Sequence, residues 1–312
     1  MKVFNIGELI RQRRIECGFS QEELCYGICE QPTMSRIENG TTTPSRSKLT
    51  ALLQRLGMVG EKYYALLSEN ELAVANLQSE ITSCIVRRDF AEGLSKLTQL
   101  EQLIEADDHI LKQYILTFRV ALGKEIDGKI ISYSFNERLE ILYEAIRLTI
   151  PDFRIENIDK FVLGTDEIQI INQIATTYAY ENNHTESIKI YSKLMNYIES
   201  HMRMLNQNVT SAPVSILIAY NYSRALYLKN QYVEAIIIAD IGLNYSTNLR
   251  NSSYLAGLLF IKAHCLFYLH DMYNSRKLFL QSYYVYQAIN DSESSSYVHK
   301  IIKQLFHIVL EP

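Results

Sequence analysis

Three side chains in the segment Gln31-Pro32-Thr33-Met34-Ser35-Arg36-Ile37-Glu38 can read nucleic-acid bases if one helix presents them together. A glutamine amide pairs bidentately with adenine, an arginine fork pairs with guanine, and a threonine methyl meets the thymine methyl. Gln31, Thr33 and Arg36 are therefore the candidate base contacts. Gln21 lies earlier, at the predicted N-terminus of another helix, where free backbone N–H groups favour a phosphate. Asn39, Thr41 and Arg46, in the stretch after the reading segment, are further phosphate candidates. Met34 and Ile37 fall on the apolar side and read as core.

No comparable case exists for a reaction. The chain contains no G-x-x-x-x-G-K-[ST], G-x-G-x-x-G, G-x-S-x-G or H-E-x-x-H. Its seven histidines are scattered, and Asp107-Asp108 read as a solvated turn. The five cysteines (Cys17, Cys25, Cys29, Cys84 and Cys265) form no C-x-x-C pair. Cys25 and Cys29 stand at i, i+4, but no histidine or second cysteine pair completes a zinc set. Reduced, structural thiols of a cytosolic protein are expected, with no enzyme activity, metal or cofactor.

The elements that would position the candidates follow from local signals. Ile6, Leu9 and Ile10 start a helix that stops at Cys17-Gly18, since glycine enters the left-handed region cheaply. Ser20-Gln21-Glu22-Glu23 is a capping box for a second, short helix. A third helix starts at Gln31-Pro32, where the missing proline N–H costs nothing, and ends at Asn39-Gly40. Leu49, Leu52, Leu53 and Leu56 mark a fourth after Pro44-Ser45. Short helices joined by tight turns within one small head form the helix-turn-helix pattern, whose second helix enters the major groove.

The bulk of the chain is of a different kind. With 312 residues, 12 Gly and 5 Pro, it has length for two domains but little material for sheet turns, so an all-α chain is expected. Residues 1–67 hold nine Lys/Arg against seven Asp/Glu (+2), whereas residues 68–312 hold 22 against 28 (−6). A mildly basic head on an acidic body suits a DNA-binding module joined to something that does not bind DNA. The N-terminal stretch lacks a continuous apolar core for a signal peptide, and no apolar run approaches a membrane span. A cytoplasmic protein without membrane contact is expected.

Residues 68–312 carry a recurring hinge in which an aromatic residue or histidine precedes an acid or small residue and an apolar helix. It occurs around Phe90, Phe135, His184, Tyr232 and Tyr273, at separations of 45, 49, 48 and 41 residues. Regularly spaced helix pairs are the mark of a solenoid, and the run Tyr227 to Ala235 is similar to the tetratricopeptide turn. The separations exceed the ~34 residues of the standard unit, so the five pairs are degenerate. A last helix, Tyr297 to Leu310, is expected to cap them.

The stretch CGFSQEELCYGICEQPTMSRIENGTTTPS resembles the helix-turn-helix of the phage-repressor and Xre superfamily, through Ser20-Gln21, Leu24, Ser35-Arg36-Ile37-Glu38 and Gly40. The shorter turn, with I-C-x-Q-x-x-x-S-R-I-E, resembles the RRNPP superfamily of peptide-responsive regulators, of the PlcR and Rgg kind. The specific match covers about the first 60 residues; the repeat layout extends it, less specifically, over the chain. The resemblance implies that Arg14 and Glu38 form a structural ion pair. It also implies a right-handed superhelical array of about five tetratricopeptide-like pairs with a capping helix, which binds a short signalling peptide and forms a homodimer. Dimeric reading heads would occupy a palindromic site in double-stranded DNA, with half-sites about one helical turn or a multiple apart.

Side chains on the first helices of the pairs supply a candidate peptide groove: Gln169, Asn172, Thr176, Tyr220, Asn221, Arg224, Tyr227, Lys262 and Tyr268. Amide side chains both donate to and accept from an extended backbone, and Arg224 could hold a terminal carboxylate. The competing reading makes the tyrosines core and Asn172 and Asn221 caps of neighbouring turns. Two further functions stand beside the peptide-responsive one. They are a constitutive repressor whose repeats only dimerise it, and a Rap-like module that sequesters a partner protein.

Overall fold

The computed structural model describes residues 6–58, 68–105, 107–204 and 212–307. The expected head–body boundary at Leu67, the residue Asn5 and the predicted end of the last helix at Leu310 lie outside the described residues. Fifteen α-helices and one two-stranded hairpin are present among the described residues. None of the helices is long and apolar enough to cross a membrane. The backbone packs as two compact units, Met1–Thr177 with Glu199–Ser211, and Tyr178–Ile198 with Ala212–Pro312.

The first unit begins with α1 (Ile6–Glu16), α2 (Gln21–Cys25), α3 (Gln31–Glu38) and α4 (Arg46–Arg55). The predicted boundaries are those observed, because each is set by a contact within a few residues. Gly18 takes φ +75°, which lets Phe19 N–H reach back to the Arg14 carbonyl at 3.1 Å. Both arms of the Ser20–Glu23 capping box form, at 3.1 and 2.7 Å. Pro32 occupies the first turn of α3, and Gly40, at φ +73°, ends it. Ile10, Leu24, Met34, Ile37, Leu49, Leu52, Leu53 and Leu56 close one apolar core beneath these helices.

The repeats follow as α5 (Glu69–Arg87) with α6 (Phe90–Leu103), and α7 (His109–Leu122) with α8 (Phe135–Thr149). Next come α9 (Thr165–Tyr180) with α10 (His184–Met204), α11 (Ala212–Leu228) with α12 (Tyr232–Asn248), and α13 (Leu255–Tyr268) with α14 (Met272–Ala288). A final helix, α15, spans Ser292–Phe306. The hinges share one device. A residue at φ near +60° (Arg88, Asn182, Asn230, His270) ends the first helix, and the next residue donates its N–H to the carbonyl five residues back, at 2.9–3.0 Å. Asp89, Asn183 and Asp271 then cap the second helix. Asparagine tolerates the left-handed region, so glycine is not needed there.

Two expectations need correction. The second pair is joined not by a tight hinge but by an antiparallel hairpin, β1 (Lys124–Ile126) and β2 (Lys129–Ile131). Asp127-Gly128, at φ +51° and +72°, supply the two left-handed residues that such a turn requires. The capping helix starts at Ser292 rather than Tyr297, because Asp291 accepts from the Ser294 N–H at 3.0 Å and draws the serine run into the first turn.

In the second unit, small residues let helices approach closely. Gly242 faces Ala219 and Leu258, and Gly257 lies against the Tyr220 ring. Ser275 and Ser282 are fully buried and donate to the Ala263 and Ala256 carbonyls, both at 2.8 Å, which joins α14 to α13.

Candidate nucleic-acid interface

The reading helix α3 divides its side chains cleanly. Met34 and Ile37 are buried in the head core, whereas Gln31 and Arg36 are exposed and Thr33 is half-buried. That presents the three expected base-reading side chains on solvent-facing turns of one helix. Beneath them, Glu38 is buried and receives Arg14 Nε at 2.6 Å and Arg14 Nη2 at 3.0 Å, the expected ion pair in bidentate form. Arg14 Nη1 also donates to the Phe19 carbonyl at 2.8 Å, so one guanidinium ties α1, the α1–α2 turn and α3 together. Burial acts to raise the Glu38 carboxyl, but hydrogen bonds from Arg14 and Gln21 outweigh it and hold the group below its ordinary value.

The phosphate candidates are less uniform. Gln21 sits at the start of α2, and one of its amide N–H bonds goes to Glu38 Oε2 at 2.7 Å. Its role is therefore partly to brace α2 against α3. Asn39 and Thr41 are exposed just past α3, and the Thr41 backbone and hydroxyl both donate to the Arg36 carbonyl, at 2.9 and 3.1 Å. Arg46 is set apart from them. It is half-buried at the start of α4, lining a cavity of about 290 Å³ with Glu71, Asp108 and Tyr114.

A buried polar network runs beneath the head, and sequence reasoning missed it. Arg55, 1% exposed, closes α4 and donates to the Leu24 and Tyr26 carbonyls at 3.0 and 2.7 Å. Its other terminal nitrogen reaches the Thr149 carbonyl at 3.4 Å and Glu167 Oε1 at 3.2 Å. Thr149 donates to the same carboxylate oxygen at 2.9 Å, and Gln113 donates to Thr149 Oγ1 at 2.6 Å. Gln54 adds a bond to Asp166 at 3.2 Å, and Tyr26 donates to Asp152 at 2.8 Å. The α2–α4 corner is thus pinned to α7, α8 and α9 by charge-assisted bonds. The available signal was one arginine inside the apolar run Ala51-Leu52-Leu53-Gln54-Arg55-Leu56.

The expected peptide-groove residues are dispersed. In the first unit, Asn172 is 5% exposed, while Gln169 and Thr176 are half-buried; Thr176 donates to the Asn172 carbonyl at 2.8 Å. In the second unit, Tyr220 stacks on Tyr254 with centroids 5.4 Å apart. Tyr227 and Tyr268 lie 6.2 Å apart, and Tyr232, expected as a hinge anchor and not as a groove residue, stacks on Tyr268 at 4.8 Å. Lys262 is paired with Asp240 of α12. Asn221 is half-buried, and Arg224 is exposed on α11.

Comparisons with known proteins match this architecture. No match was found among curated proteins. Solved structures of Bacillus thuringiensis PlcR are similar in fold. The complex with the peptide PapR7 and DNA superposes at TM-score 0.55 and 17% identity, over 98% of this chain and 100% of that one. The apo form superposes at TM-score 0.59 and 15% identity, over 94% of this chain and 97% of that one. Residues 5–63 match the family model of a helix-turn-helix domain. Residues 78–303 match that of the RNPP family C-terminal domain, so the chain, with its short-turn head and five helix pairs, belongs to the RNPP family.

Proposed function

We propose that the chain is a sequence-specific DNA-binding transcriptional regulator whose repeats bind a short signalling peptide that modulates DNA affinity. The observation that carries the DNA-reading part is the partition of α3, with Gln31, Thr33 and Arg36 toward solvent and Met34 and Ile37 in the core. Asn39 and Thr41 flank the same end of the helix and serve as phosphate contacts, with the free N–H of Gln21 as a third. Arg46 is the weakest member of this set because it is half-buried and lines a cavity with Glu71 and Asp108. The proposed division is a reading head at 1–67 and a peptide-binding, dimerising body at 68–312, working in the cytoplasm on a palindromic operator as a homodimer.

The peptide part rests on family membership and on the fold shared with PlcR, which was solved with PapR7 and DNA. Within the body, Asn221 and Arg224 are the polar pair best suited to a peptide backbone and terminus. Gln169, Asn172 and Thr176 on α9 remain lesser candidates, as do the tyrosines and Lys262, which have packing or ion-pair roles of their own.

Fluorescence anisotropy on DNA from upstream of the protein's own gene tests both parts, at fixed salt, with and without small peptides from the spent medium. Arg36→Ala should cost about 1–3 kcal/mol of DNA binding and relax specificity at one base pair. Asn221→Ala should leave basal DNA binding intact and weaken only the response to peptide. Unchanged DNA affinity in Arg36→Ala would remove that arginine from the interface. DNA binding that ignores the extract would favour a constitutive repressor, or a body regulated by a protein partner.

A further inference from the structure

The turn between α2 and α3 holds two thiols that neither DNA reading nor peptide binding uses. Cys25 is the last residue of α2 and is 2% exposed; Cys29 is half-buried, two residues before α3. The Ile28 and Cys29 backbone N–H groups both donate to the Cys25 carbonyl, at 2.8 and 3.0 Å, so the chain between them folds into one closed turn with Gly27 at φ +67°. A turn closed by that i to i+4 bond keeps the two Cα atoms within roughly 7 Å, the limit of what a disulfide bridges. Both side chains pack on the same head core, and each thiol is the leading influence on the ionisation of the other. We propose that Cys25 and Cys29 are a modification site, a dithiol that a hydroperoxide oxidises reversibly to a disulfide across the helix-turn-helix turn.

The two cysteines divide the labour that this chemistry requires. The hydrogen bond from Cys25, with help from the Lys48 and Arg55 charges, holds the Cys29 thiol below its ordinary value. The thiolate is the reactive form, and Cys29 is the more accessible of the two. The same contact, with burial, pushes the Cys25 thiol up, which suits a resolving group that reacts second. Elsewhere burial is the chief cause that raises the thiols, Cys265 to about 12 and Cys17 as well. In the first step the Cys29 thiolate attacks the peroxide; an S–O bond forms, the O–O bond breaks, and the leaving oxygen takes a proton from solvent. In the second, Cys25 gives its proton to solvent and its sulfur attacks the Cys29 sulfur. The S–S bond forms, the S–O bond breaks, and hydroxide leaves as water. Both sulfurs are oxidised and one peroxide is reduced.

Closure requires the sulfurs to approach to about 2.05 Å. Gly27, in the middle of the turn, lies against the Thr149 carbonyl, so that side cannot give way. The start of α3 must move instead, and with it Gln31. A reading site tolerates about 0.5 Å of misplacement. This consequence rests on the DNA-reading proposal; the chemistry does not.

The test treats the reduced full chain with stoichiometric hydrogen peroxide, blocks remaining thiols with iodoacetamide, and cleaves after glutamate. The peptide Leu24–Glu30 contains Cys25 and Cys29 and no other cysteine. It should appear two hydrogens lighter and unalkylated, before Cys17 or Cys265 is modified, and dithiothreitol should restore it. In Cys25→Ala, Cys29 should stop at a sulfenic acid trapped by dimedone. Alkylation of both residues after peroxide, a disulfide to another chain, or oxidation no faster than at Cys265 would each overturn the proposal. In parallel anisotropy, oxidation should weaken DNA binding by at least about tenfold, reversibly. A disulfide that leaves affinity unchanged sinks the coupling to DNA reading. Reduced protein without DNA affinity refutes the DNA-reading proposal and leaves the mass result standing.

Discussion

Replacing Arg55 by methionine should be among the most destabilising single changes in the first unit. Methionine fills much of the side-chain volume but brings no charge. Glu167, its side chain 4% exposed, would keep only the Thr149 hydroxyl and the Gly164 N–H, both at 2.9 Å. Removing one partner of a buried pair costs about 3–5 kcal/mol, because the other charge stays buried without compensation. The Leu24 and Tyr26 carbonyls also lose their donor, at about 1 kcal/mol each, which the extra apolar contact of methionine partly offsets. The net expectation is a loss of about 3–5 kcal/mol. Urea denaturation followed by circular dichroism would measure it, on the wild type, Arg55→Met, Glu167→Gln and the double variant. The double variant should be more stable than the sum of the singles by about 1–3 kcal/mol, since neutralising Glu167 removes the stranded charge. Raising the salt concentration should leave the difference nearly intact, as screening acts weakly on buried pairs. A cost under about 1 kcal/mol for Arg55→Met, or strict additivity, would show that the network does not carry the head in this way.

Asp166 supplies a pH-dependent counterpart. Burial and then the neighbouring Glu167 charge push its carboxyl up to about 6, against the hydrogen bond from Gln54. A folded value above the unfolded one means that ionisation opposes folding, so this group's penalty is present above pH 6 and fades as pH falls toward 4. Asp166→Asn should therefore raise the melting temperature at pH 7.5 and lose that advantage by pH 4.5; an equal shift at both values would contradict the assignment. Gly27→Ala should unfold or misplace the head, because φ is +67° and the added Cβ would collide with the Thr149 carbonyl. A normal melting curve for Gly27→Ala would mean that the turn is not held against α8.

Much of the head was legible because its boundaries are local. Ser20 with Glu23, Pro32, Gly18 and Gly40 each act within one turn, and the chain shows them side by side. The hinges were legible for the same reason, although their left-handed residues, Arg88, Asn182, Asn230 and His270, lie just ahead of the residues that stood out. Helical period turns residues 34 and 37 inward and leaves 36 outside, while Gln31 is exposed as the residue that opens α3.

The sequence by itself thus determined where the helices of the head start and stop, that Met34 and Ile37 of α3 are buried, and that five helix pairs follow the head. Tertiary structure alone decided which polar side chains are available to a ligand. Lys262 is engaged by Asp240, Asn172 is buried, Arg46 lines a cavity, and Tyr268 stacks on Tyr232. Tertiary structure also gave Arg55 its partners, Thr149 and Glu167, which lie 94 and 112 residues away. The physical reason is one of range. Capping and periodicity act between neighbours in the chain, whereas burial of a charge depends on whichever distant carboxylate folding brings beside it.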